Sequence, residues 1–106
     1  MTLKDTKKLM KIATGFRNGI LGMEDSKEKC LMVSASLEGL LRFSGYDCTL
    51  TEGIVADWFH FWITFPDTTI LDPTADQFSK PNGENMPPVY IGGKPKWYKV
   101  IKQGVS

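Results

Sequence analysis

Apolar residues recur at three- and four-residue steps through the first part of the chain and at two-residue steps through much of the rest. The pattern predicts helices followed by strands. Leu9, Ile12, Ala13, Phe16 and Ile20 line one face of a helix predicted over residues 4–21, and Lys4, Lys7, Lys8, Lys11 and Arg17 decorate the remainder. Gly15, Gly19 and Gly22 weaken that helix toward its end. A second helix is predicted from about Ser26 to Phe43. Asp25 and Ser26 are good caps for it, and Asp25 with Glu28 has the spacing of a capping box. Its apolar stripe is Cys30, Val33, Leu37, Leu40 and Leu41, with Ser34 beside it, so Cys30 faces inward near the first turn. Gly45 ends the helix.

From Tyr46 the period shortens to two. Tyr46, Cys48 and Leu50 alternate, Thr51-Glu52-Gly53 reads as a turn, and Ile54 and Val55 begin another short strand. Trp58 to Phe65 is the strongest strand signal, rich in aromatic and β-branched residues. Pro66-Asp67 interrupts it and Thr68 to Asp72 returns, which predicts a hairpin. Residues 79–88 hold Pro81, Asn82, Gly83, Asn85, Pro87 and Pro88 and read as a loop, followed by a short extended piece over Val89 to Ile91. The tail from Lys94, with Trp97 and Tyr98, is ambiguous. The expected fold class is α+β, with two N-terminal helices packed on a short antiparallel sheet, in one domain over residues 1–106.

Composition narrows the classes of partner. The formal net charge is +1, so the concentrated basic surface that phosphate binding needs is not expected, and no nucleic-acid partner is expected either. The longest apolar stretch, from Ile54 to Phe65, is broken by Asp57 and His60, so no membrane span is expected. The lysine-rich face of the first helix reads as a solvated face. No apolar segment follows Lys4, Lys7 and Lys8, so no secretory signal is expected. Cys30 and Cys48 are too few for a disulfide scaffold, and a reducing, cytoplasmic setting is the expectation.

The candidate chemistry starts from the single histidine, His60. Alternation puts it on one strand face with Trp62 and Thr64, while Phe59, Phe61, Ile63 and Phe65 take the other. If the hairpin closes at Phe65-Pro66-Asp67, His60 lies opposite Asp72, and any register of even parity keeps the two on one face. A carboxylate beside an imidazole fixes its tautomer and supports its protonated form. Cys30 sits where a helix N-terminus, and a nearby imidazolium, stabilise a thiolate. Cys48 has no such company and reads as packing. Cys30, Cys48, His60 and Asp72 are metal-ligand types, but they lack the close pairs of a zinc site, so no metal or cofactor is expected. Asp76 reads as a cap on the turn after Asp72, and Gly92-Gly93-Lys94 as a plain turn.

Three pieces in order carry a resemblance: a helix opened by Cys30, the strand His60-Phe61-Trp62, and a return strand ending in Leu71-Asp72-Pro73-Thr74. Together, over roughly Cys30 to Phe78, they resemble the transglutaminase-like core of the papain-like cysteine-enzyme superfamily, and the run from Asp72 to Phe78 resembles its small bacterial and phage-type members. The resemblance implies a papain-like fold in which Cys30 is the nucleophile, His60 the general base and then acid, and Asp72 the orienting carboxylate. It implies thiol-dependent amide chemistry on a peptide or protein, as peptidase, amidase or deamidase, through a thioacyl intermediate. The alternative is a catalytically idle domain of the same type that binds a peptide or protein partner. Ile63 and Thr64 stand where such cores often carry an acidic residue, and no calcium-binding acidic cluster is evident, which speaks against calcium-dependent crosslinking. The Cys30 backbone N–H is one candidate oxyanion donor, with Trp58 or Gln77 as a second. Trp58, Trp62, Trp97 and Tyr98 read mainly as core, with lining of a peptide groove as the alternative.

Overall fold

The computed structural model describes residues 1–22 and 29–103. Helix α1 spans Leu3–Leu21 and α2 Cys30–Phe43. The strands are β1 Thr49–Val55, β2 Trp58–Thr64, β3 Thr69–Asp72, β4 Tyr90–Gly93 and β5 Tyr98–Gln103, with a 3-10 turn at Ala75–Gln77. The five strands form one antiparallel sheet in the order β4-β3-β2-β1-β5. The described residues therefore make a small α+β domain, with a Cα radius of gyration of 12.6 Å.

Helix α1 starts where its chemistry allows. Thr2 accepts from the Asp5 N–H at 3.1 Å and Asp5 accepts from the Thr2 N–H at 3.3 Å, a capping box that satisfies two otherwise unpaired donors. Its buried face is Leu9, Ala13, Arg17 and Leu21. The expected start of the second helix at Ser26, with Asp25 and Glu28, lies outside the described residues. Within them α2 opens at Cys30 behind Lys29, which makes no side-chain cap bond. Val33, Ser34, Leu37 and Leu41 are buried; Leu40, expected in the stripe, lies at its edge and is exposed.

The expected turn at Thr51–Gly53 is not a turn. Strand β1 runs straight through it, and Gly53 is required for close approach: a Cβ there would collide with the Trp62 ring and the Lys99 carbonyl. The chain reverses instead at Ala56 and Asp57, both at positive φ (49° and 66°), which suits a two-residue hairpin between right-twisted strands. Cys48 precedes β1 rather than alternating within a strand. Strand β4 begins one residue after Val89, and Gly92 and Gly93, expected in a turn, pair with Ile70 and Thr69. The ambiguous tail forms β5, which pairs with β1 at the sheet edge and shifts register between Glu52 and Gly53.

The sheet separates two apolar clusters. On the helix side, Ile63, Phe65, Leu71, Cys48 and Val89 pack with Leu9, Ala13, Leu37 and Leu41. On the other side, Val55, Trp62, Ile70 and Tyr98 pack with Ala75 and Met86, so the connection between β3 and β4 covers this second face. Asp76, expected to cap a turn, instead pairs with Arg17 at 2.7 Å and ties that connection to α1. Arg17 is itself nearly buried, which makes the pair a fixed link rather than a surface contact.

Candidate active site

The local cause of the site is an early end to strand pairing. Strands β2 and β3 pair only at Ile63↔Leu71 and Thr64↔Ile70, so the edge of β2 nearer Trp58 has no strand neighbour on that side. The first turns of α2 dock there. The Phe61 carbonyl accepts from Ser34 Oγ at 3.1 Å, and the Phe61 amide is directed at the Cys30 sulfur. Ser34, apolar in neither chemistry nor partner, is fully buried because this bond satisfies it. Cys30 is the first residue of α2 and is half-buried, and the Leu31 amide also bears on its sulfur. Unpaired first-turn amides of this kind stabilise negative charge.

His60 comes to the same point from β2. The same β2–β3 register carried one step further sets Asp72 level with Trp62, so His60 reaches Asp72 on the diagonal rather than directly across. The parity is even, and both side chains lie on the face away from the helices. His60 Nε2 lies 2.7 Å from Asp72 Oδ2, and both residues are fully buried. Three further interactions hold the carboxylate. Tyr98 Oη donates to Oδ2 at 2.6 Å, the Thr74 N–H donates to Oδ1 at 3.0 Å, and Thr74 Oγ1 lies 3.5 Å from Oδ1. Phe78 meets the imidazole edge-on with centroids 4.8 Å apart, and Tyr98 and Trp62 each lie 6.0 Å away. With Nε2 committed to Asp72, the buried Nδ1 is left without a well-formed hydrogen bond, while the Cys30 thiol interacts with the same ring.

The electrostatics follow from these contacts. Burial alone favours a neutral imidazole, but the charge and hydrogen bond of Asp72, with a further contribution from Cys30, outweigh it and push His60 up to about 9. Burial likewise resists ionisation of Cys30, but the His60 hydrogen bond and charge, and then the amides of Phe61 and Leu31, outweigh it and hold the thiol below its ordinary value. Both directions favour the thiolate–imidazolium form of the pair over what the isolated groups would adopt. Burial pushes the Tyr98 phenol up, and the Asp72 charge pushes it further. Cys48 shows the opposite outcome to Cys30. Burial and the Glu38 charge push it up to about 11, and its sulfur lies 3.9 Å from the Glu38 carbonyl.

The remaining candidates divide. Trp58 is 71% exposed at the β1–β2 hairpin, beside the equally open Phe59. Trp62, a candidate to meet substrate, is fully buried behind His60 with its ring over Gly53, so it builds the site's wall instead. Gln77 is half-buried in the 3-10 turn and donates to the Thr74 carbonyl at 3.3 Å, which braces the end of β3. The contact that sequence reasoning missed is Tyr98. Its position on a face shared with Val55 becomes readable only once β5 is known to pair with β1. Trp97 packs against the same second cluster.

Among the described residues there is no group of three or more His, Cys, Asp or Glu that could hold a metal ion, and no helix is long and apolar enough to cross a membrane. A cavity of about 220 Å³ lined by Cys48, Thr49, Thr64, Phe65, Pro66, Thr68 and Gln103 lies at the other end of β2 from His60 and shares no residue with the site. Comparison of the chain with family models, curated proteins and solved structures finds no match.

Proposed function

We propose that this chain is a thiol-dependent amide hydrolase of papain-like, transglutaminase-like type, acting on a peptide or protein. Cys30 is the nucleophile, His60 the acid and base, and Asp72 the carboxylate that orients the ring. The observation that carries this reading is the buried imidazole, with Asp72 on Nε2 at 2.7 Å and a thiol of lowered pKa interacting with the ring. Cys30 is half-buried and so open in part to a substrate carbonyl, while the Asp72 carboxylate behind the ring is fully buried.

In this mechanism the Cys30 thiolate adds to the amide carbonyl carbon. The C–N bond breaks as the imidazolium gives its Nδ1 proton to the departing amine, leaving a thioester on Cys30. Neutral His60 then takes a proton from water, the hydroxide adds to the thioester, and the C–S bond breaks to return the thiolate–imidazolium pair. Asp72 keeps the Nε2 proton throughout, so the tautomer that aims Nδ1 at the reacting atoms is maintained. The Cys30 amide, at the first helical position, serves as an oxyanion donor in this mechanism. The exposed Trp58 and Phe59, which precede His60 in β2, favour a peptide or protein over a small polar substrate, and would equally serve the idle, peptide-binding alternative. Both cysteines are free thiols, which fits a reducing, cytoplasmic setting.

An activated ester distinguishes enzyme from binder. With p-nitrophenyl acetate at neutral pH, the expected result is a burst of nitrophenolate, an acetyl group on Cys30 by mass spectrometry, and slow turnover of that adduct; Cys30→Ala abolishes all three. Acylation of Cys48 first, or no burst at all, overturns the proposal.

A further inference from the structure

We infer that Tyr98 is a positioning residue of this site, whose hydroxyl shares Asp72 Oδ2 with the imidazole and limits how tightly the carboxylate holds the His60 proton. The inference rests on the reading of Cys30 and His60 as the reacting pair. It starts from geometry. Oδ2 receives Nε2 at 2.7 Å and Tyr98 Oη at 2.6 Å, while Oδ1 receives the Thr74 amide at 3.0 Å. All four residues are fully buried, so water does not substitute for any of these donors. The Tyr98 ring is fixed independently of its hydroxyl, edge-on to Trp62 with centroids 5.1 Å apart and edge-on to His60 at 6.0 Å. Its backbone is fixed as well: Tyr98 pairs with Val55, and Lys94 Nζ donates to its carbonyl at 2.6 Å.

Two consequences follow from a second donor on one carboxylate oxygen. The carboxylate cannot rotate away from Nε2 without breaking the Tyr98 bond, so the ring orientation is held by a residue from the edge strand on the same face of the sheet. The hydroxyl also draws charge from Oδ2, so the carboxylate is a weaker base toward the imidazolium than it would be alone. That matters for a group that must give up a proton in one step and accept one in the next. The titratable groups facing this hydroxyl are Asp72 from β3, His60 from β2 and Tyr90 from β4, and Cys30 reaches it only through the ring.

Tyr98→Phe removes the hydroxyl and keeps the ring. The chain has one histidine, so its imidazole gives a single set of NMR signals and a clean titration. The expected result is a His60 midpoint raised by about half to one pH unit, with the alkaline limb of Cys30 alkylation by iodoacetamide moving up with it. A His60 midpoint that is unchanged or lowered overturns the inference, because a merely structural tyrosine would alter stability and leave the midpoint in place. In the unmodified protein, the Tyr98 hydroxyl proton should exchange slowly and shift as His60 titrates. A hydroxyl signal indifferent to that titration overturns the inference without recourse to a variant. If Cys30 proves unreactive while the Tyr98→Phe midpoint still rises, the functional reading fails and the Tyr98–Asp72–His60 linkage stands.

Discussion

The two thiols of this chain, Cys48 just before β1 and Cys30 against the middle of β2 at His60 and Phe61, come to opposite electrostatic outcomes. Cys48 packs beneath the helices against the Glu38 carbonyl, and burial pushes it up to about 11. Cys30 also loses solvent, yet its pKa moves down, because an imidazole charged by Asp72 and two backbone amides face it. Burial is therefore not what separates the thiol of raised pKa from the one of lowered pKa. The difference is a compensating positive field, and here that field is assembled from residues 30, 60 and 72 by the docking of a helix tip on an unpaired strand edge.

Removing the positive field should slow Cys30 and leave Cys48 untouched. His60→Gln keeps most of the ring volume and deletes the charge, so Cys30 alkylation at pH 7 should fall at least about tenfold while Cys48 stays as slow as before. Isotope-coded alkylation read by mass spectrometry follows both thiols in one sample; an unchanged Cys30 rate would mean that the helix tip alone sets its pKa. Asp72→Asn should give a smaller loss, about several-fold, and the double variant should lose little beyond His60→Gln alone, because the carboxylate acts through the ring. Additive losses would give Asp72 a separate route to the sulfur.

At Cys48 the expected changes are slight. Cys48→Ala should leave the Cys30 pH profile where it is and cost about 1 kcal/mol of stability by loss of packing. It should also soften the alkaline decline in stability. The sign follows from the neutral thiol's place in the fold: an unfolded thiol ionises near its ordinary value while the folded one resists until about 11, so stability is lost as pH rises across that window. Denaturant titrations at pH 7 and in mild alkali check this, and a steeper decline in Cys48→Ala would contradict it.

How far the site was legible in the chain depends on the range of the interaction. The strand around His60 and its return to Asp72 are local, so period-two alternation and the Pro66-Asp67 break are enough to set both side chains on one face. The apolar stripe of α2 likewise turns Val33, Leu37 and Leu41 inward without tertiary information. Gly53 misleads because a glycine that admits a tryptophan ring looks, in sequence, like one that admits a turn. Trp62 misleads because a large aromatic beside His60 serves equally as wall or as contact surface, and only the second cluster decides between them. Tyr98 was out of reach for a different reason. Its partner strand lies more than forty residues back in the chain, and edge pairing of this kind leaves no local signature.

The proposed chemistry turns on the ionisation state of the Cys30 sulfur, and ultraviolet thiolate absorbance measures that state without a substrate. In the difference between the native protein and Cys30→Ala, the account predicts thiolate absorbance already present at neutral pH, lost only on acidification. Absorbance that emerges only in the ordinary thiol range, above about pH 8, would contradict it.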